Sequence, residues 1–212
     1  MTSQVDIPVI RPYSGFMAPE PTRWLADDES KPAPEPLLRV QALVNTVELP
    51  AGPDRLADSD VARPWLIDSH LLSPDAALDD ADLQLLRDVR EALRALLVRN
   101  GGGPSPTTAD LAPLRSVAAG GTARAEFDAD GAVRLAADGD SVTERLVDLV
   151  LIMRDAQRDG SWTRLKACAN DECQWAFYDR SRNHGGTWCE MSSCGNKLKN
   201  REFRARRRKA NR

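Results

Sequence analysis

The residues of this sequence best suited to chemistry are Cys168, Cys173, Cys189 and Cys194, spaced C-x4-C-x15-C-x4-C, and the chain has no other cysteine. A tetrahedral zinc ion takes four thiolates at about 2.3 Å when two short loops each present a pair. Because the four cysteines fill every position, none is left for a catalytic water. The pattern predicts one structural Zn2+. Its rivals are unrelated free thiols, or two disulfides in an exported chain. The N-terminus, MTSQVDIPVIRPYSGFMAPEP, has no basic stretch leading into an apolar one, so no secretory signal is read. No apolar run approaches the ~18 residues of a membrane span. The chain reads as cytoplasmic, where clustered thiols stay reduced and bind metal rather than pair. His184 lies in the long middle loop, a poor place from which to replace a cysteine.

The elements that must position the thiols can be read on either side of them. Trp162–Lys166 and Gln174–Tyr178 pattern as two short strands, which would set the first cysteine pair at a hairpin tip. The second pair runs into Gly195-Asn196-Lys197-Leu198, where a helix is predicted to start and continue to about Arg208. A knuckle joined to a helix start is a treble-clef-like, small α+β arrangement. So short a segment buries little apolar surface. Metal binding supplies the missing folding free energy, on the order of 10 kcal/mol.

The net charge of -3 hides an asymmetry: residues 161–212 carry 13 basic and 5 acidic side chains, whereas residues 1–160 carry 16 and 27. A basic module on an acidic body suits a polyanionic partner. Lys197, Lys199, Arg201, Arg204, Arg206, Arg207 and Arg208 crowd the final helix, with Lys209 and Arg212 beyond them and Arg180 and Arg182 in the preceding loop. Phosphate contacts by these groups would weaken steeply with salt. Asn196 and Asn200 lie one helical turn apart, and asparagine can read adenine through two hydrogen bonds. Asn196 serves equally well as a helix cap. Trp175, Phe177, Tyr178, Trp188 and Phe203 could stack on bases, but are read first as the module's small core. Basic charge alone does not choose among DNA, RNA and acidic protein.

Upstream, residues 1–36 form a Pro-rich extended arm, and residues 37–160 a mainly α domain with one small β-hairpin. Helices are predicted from Leu37 to Val47, from about Asp58 with Pro64 confined to the first turn, over 81–99 behind Asp79-Asp80, and around Thr107–Val117. Ala123, Ala125 and Phe127 alternate with polar residues, as do Val133 and Leu135 beyond Asp130-Gly131, which is a hairpin signature. Ser141 and Glu144 form a capping box ahead of a helix that is apolar on most sides and ends near Gly160, the expected domain boundary. Asn45, polar in an apolar helix, and Arg90, near an inward face, are candidates for a small-molecule pocket or for satisfied structural hydrogen bonders. No Gly-rich phosphate loop, nucleophile elbow or paired metal-binding His motif is present, so no enzyme is predicted.

The C-terminal segment resembles the CGNR zinc finger of bacterial proteins described as stress-induced transcription regulators. The matching elements are the four cysteines, Phe177-Tyr178-Asp179, Arg180-Ser181-Arg182-Asn183, Trp188 and Cys194-Gly195-Asn196. Lys197 stands where the family usually has arginine, keeping the charge but losing the planar fork. Residues 37–160 resemble more loosely the ABATE domain of the same family, at Leu43-Val44-Asn45-Thr46-Val47 and Leu86–Leu93. The resemblance implies DNA binding by the finger and a regulatory, ligand-sensing or dimerising role for the N-terminal domain, leaving room for a small-molecule effector and a homodimer. The alternative is an RNA- or ribosome-associated zinc-binding module.

Overall fold

A computed structural model of the chain describes residues 29–196. Helices α1 (Leu38–Val44), α2 (Ser59–Asp68), α3 (Asp80–Asn100) and α4 (Ala112–Gly120) are followed by an antiparallel hairpin, β1 (Ala123–Phe127) and β2 (Val133–Ala137). Helix α5 (Val142–Asp159) comes next. A 3-10 turn at Ser161–Arg164 then leads into a second antiparallel hairpin, β3 (Leu165–Ala167) and β4 (Ala176–Tyr178), and a π-helical turn at Met191–Gly195. The helix-rich body with two small hairpins agrees with the predicted fold class.

The two longest helices start as their sequences dictate. Asp79 accepts from the amide of Asp82, whose carboxylate accepts from the amide of Asp79; Ser141 and Glu144 do the same for α5. Leu83, Leu86, Val89, Leu93 and Leu97 then bury one face of α3, and Leu146, Leu149, Ile152 and Met153 that of α5. Gly160, at φ 82, ends α5 in the left-handed region and turns the chain toward β3.

Several expectations shift. Pro64 lies inside α2, past its first turn, and the helix tolerates it because the carbonyl it leaves unpaired belongs to exposed Asp60. Pro113 does not weaken a helix over 107–117; it sits in the first turn of α4, where its missing N–H costs nothing. Phe127 is 74% exposed and Val133 63%, so the alternating residues of the first hairpin do not face the core. That hairpin is tied to α5 by its end, where the Ala137 amide donates to Asp148 at 2.9 Å. The end of the Pro-rich arm is pinned: Ala33 is buried, and the Tyr178 amide donates to the Lys31 carbonyl at 2.9 Å, beside β4.

The apolar core does not stop at Gly160. Leu165, Ala167 and Ala176 of the second hairpin belong to the same buried cluster as Val40, Leu43, Leu93, Leu97, Leu149 and Ile152. Residues 37–160 and 161–212 are thus distinct in composition, but the described part of the second segment is joined to the first in packing. A Leu165→Ala substitution is expected to cost about 2–5 kcal/mol. In chemical denaturation followed by far-UV circular dichroism it should shift one transition of the whole chain; a change confined to a small second transition would contradict the joint core.

Candidate metal centre

The first cysteine pair is set by the knuckle between β3 and β4. The Cys168 amide donates to the Trp175 carbonyl at 2.9 Å, while those of Cys173 and Gln174 both donate to the Asn170 carbonyl, at 2.8 and 3.0 Å. Gln174 takes φ 46 to close the turn. The Ala169 amide reaches the Thr187 carbonyl at 3.0 Å, drawing the segment with the second pair alongside, and the Asn170 side chain contacts Cys194 Sγ at 3.7 Å.

All four Sγ atoms lie within 4.8 Å of one another, with Cys173 and Cys189 3.6 Å apart and Cys189 and Cys194 3.9 Å. A tetrahedron with zinc–sulfur bonds of about 2.3 Å has edges of about 3.8 Å, so the spacing fits one zinc ion. Hydrogen bonds from Cys173 and Cys189 hold the Cys168 thiol far below its ordinary value, and the same contacts push Cys173 and Cys189 up. Sulfurs this close cannot all ionise without a cation among them. Cys168, Cys173, Cys189 and Cys194 would hold one structural Zn2+, whose contribution is folding free energy.

A buried ion pair organises the loop between the cysteine pairs. Lys166 Nζ lies 2.9 Å from Asp179 Oδ2 and also donates to the carbonyls of His184 and Gly186. The Asp179 carboxylate accepts from the amides of Ser181 and Gly186, at 3.0 and 2.7 Å. Burial alone would push the Asp179 carboxyl up, but Lys166 and the two amides outweigh it and hold the group well below the usual carboxylate range.

The residues expected to meet a nucleic acid divide three ways. Arg180 and Arg182 are exposed on this loop; Arg180 donates to the Pro32 carbonyl at 2.9 Å and stands 5.9 Å from the Tyr178 ring, whereas Arg182 has no partner among the described residues. Asn196 is exposed, and its side-chain amide donates back to the Ser192 carbonyl at 3.2 Å; the helix expected to start there lies outside the described residues. Lys197, Lys199, Asn200, Arg201, Arg204, Arg206, Arg207 and Arg208 lie outside the described residues, as does Phe203. Of the other aromatic residues, Phe177 is fully buried and Trp175, Tyr178 and Trp188 are half-buried.

Asn45 and Arg90, candidates for a pocket or for structural hydrogen bonding, are both engaged in hydrogen bonds that join segments. Asn45 Oδ1 accepts from the Ala176 amide at 2.7 Å and its Nδ2 donates to the Ala176 carbonyl at 2.9 Å, so one carboxamide pairs the free edge of β4 as a third strand would. Arg90 is taken up by Asp54 at 2.7 Å, Glu91 at 2.8 Å and Thr46 at 3.2 Å. Gln41, Arg94 and Asn100 are further joints that the sequence reading missed. Gln41 donates to the Ala176 carbonyl, Arg94 bridges the carbonyls of Val44 and Gln174, and Asn100 donates to those of Trp162 and Leu165. Their sequence signal is slight: Arg94 patterns with the charged face of α3, and only its burial at 3% exposure distinguishes it.

Residues 164–207 match the family model of the CGNR zinc finger, and residues 39–158 match the ABATE model, described as "Putative stress-induced transcription regulator". The chain belongs to the ABATE family. A search of curated proteins finds no match. The two matched segments meet near Gly160, so the family's modules are real units of sequence, while Asn45, Gln41 and Arg94 of the ABATE segment hold the CGNR finger in place. Among the described residues, no helix is long and apolar enough to cross a membrane.

Metal analysis of the purified chain is expected to give one zinc per molecule. Cys173→Ser should lose the ion and lower the unfolding midpoint of the ABATE helices as well, because β4 is their shared element. Intact ABATE stability in that variant would separate the two. Asp179→Asn should cost about 3–5 kcal/mol by leaving Lys166 buried without its partner. Since the folded pKa of Asp179 is depressed, the pair's contribution is complete above the unfolded value of about 3.9 and is lost as pH falls through the lower folded value. Acid titration of stability should show that loss in the natural chain and not in Asp179→Asn.

Proposed function

We propose that the chain is a DNA-binding transcription regulator in which the CGNR finger contacts the duplex and the ABATE domain senses a small ligand or dimerises. The observation that carries the reading is the loop built on Lys166 and Asp179. It offers the exposed Arg180 and Arg182 from the same zinc-centred finger that leads into the basic segment beginning at Lys197. A loop fixed from beneath by a buried ion pair presents its cations with little ordering entropy left to lose, which favours phosphate contacts. The joint core supports the coupling, because a change in α1 or α3 reaches β3 and β4 through packed side chains and the Asn45 and Arg94 hydrogen bonds. The reading assigns the chain no catalytic step.

Binding to duplex DNA, followed by fluorescence anisotropy as salt is raised, should fall linearly on a log–log plot. Arg182→Ala should lower the steepness of that line by about 0.9, the value of one phosphate contact, and weaken all duplex sequences alike. Structured RNA that competes better than duplex DNA would turn the assignment to an RNA-binding module, and affinity insensitive to salt would remove both.

A further inference from the structure

The first hairpin leaves its β1 side unpaired. The Asp128 amide donates to the Ala132 carbonyl and the Asp138 amide to the Thr122 carbonyl, both at 3.0 Å, at the two ends of a register that sets Arg124 opposite Ala136 and Glu126 opposite Arg134. Antiparallel backbones alternate, so the even-numbered residues bond within the hairpin and the odd-numbered ones turn their N–H and C=O groups outward. On the outer side of β2, the Ala137 amide is taken by Asp148 of α5. On the outer side of β1, Ala123, Ala125 and Phe127 have no backbone partner among the described residues, and all three are exposed.

Two strands alone are marginally stable in water, and an open edge is usually guarded by proline, lysine or a bulge. Strand β1, Ala-Arg-Ala-Glu-Phe, has no proline or lysine, and its register with β2 is unbroken. Its side chains alternate too. Ala123, Ala125 and Phe127 share the exposed apolar face with Val133 and Leu135, while Arg124 and Glu126 lie on the other face, 2.9 Å apart. Glu126 also pairs with Arg134 at 3.1 Å. Arginine and glutamate thus flank Ala125 symmetrically with opposite sign. A two-fold axis through Ala125 would set Arg124 of each copy opposite Glu126 of the other, and Phe127 opposite the small Ala123. The outward groups of Ala125 would then bond their own counterparts, and the charged pairs would fall at the sites where facing side chains come closest. Centring the axis on Arg124 or Glu126 instead would bring like charges face to face, so charge selects the register.

We infer that β1 is a dimerisation edge: two copies of this chain pair their β1 strands antiparallel about Ala125, joining two hairpins into one four-stranded sheet. Arg134, Glu126 and the second copy's Arg124 then form a row of alternating charge across it. The inference rests on the dimerising part of the function proposed above, and gives it a surface and a register.

Sedimentation equilibrium of the full-length zinc-loaded chain, with its thiols kept reduced, should show a reversible monomer–dimer equilibrium. Ala125→Pro removes an N–H that points out of the hairpin, where an edge strand accepts proline, so this variant should keep its far-UV circular dichroism and sediment as a monomer. Arg124→Glu and Glu126→Arg should each weaken self-association by about ten-fold or more, because each sets two like-charged pairs across the axis. Mixed in equal amounts, these two variants should form a heterodimer, since the two glutamates of one copy then face the two arginines of the other. Misfolding could not produce that recovery. The inference is overturned if the natural chain stays monomeric at high micromolar concentration, if Ala125→Pro dimerises as the natural chain does, or if the mixed variants associate no better than each alone. A chain that binds duplex DNA as a monomer fails this inference alone; one that dimerises through β1 but ignores DNA fails only the regulator reading.

Discussion

The free edge of β4 is the constraint on which the rest of the molecule turns. A hairpin of two three-residue strands cannot persist alone in water, and an unpaired backbone edge inside a core is costly. Asn45 meets both difficulties by pairing the amide and carbonyl of Ala176, with Gln41 adding a second donor. That pairing fixes how the knuckle stands against α1 and α3, and so where Cys168 and Cys173 lie. Zinc closes the arrangement from outside, and the ABATE core closes it from within.

Much of this was legible in the sequence because it is local. The cysteine spacing, the strands flanking the first pair, the cap of α3, the capping box of α5 and the Asp130-Gly131 turn are all written within a few residues of where they act. What could not be read was the pairing of distant groups. Asn45 stood out as polar in an apolar helix, but its partner is 131 residues away. Arg90 patterns near an inward face but without its partners, and Arg94 patterns as a surface residue because a guanidinium is normally solvated; both are buried here because backbone carbonyls and carboxylates surround them.

The loop between the cysteine pairs shows how a small module stays rigid with few aliphatic side chains. Lys166 spends its donors on Asp179 and two carbonyls, and Asp179 spends its acceptors on two amides as well as on Lys166, so one ion pair ties a run of irregular backbone. Removing either partner would strand the other in a nearly dry site. Arg182, on top of this frame, is exposed and has no partner among the described residues, so its cation takes no part in holding the loop.

The covering of α1 and α3 by the second hairpin has a consequence in time as well as in space. Ribosomes release the chain from its N-terminus, so the helices are complete before Leu165, Ala167 and Ala176 exist to cover them. Until the last cysteine has emerged and the thiols have captured an ion, the Asn45 carboxamide and the leucines of α3 lack their cover. A newly made molecule therefore finishes its oldest part last, and a cell short of zinc would hold a pool of nascent chains with an open apolar flank, the kind of surface that chaperones and proteases recognise.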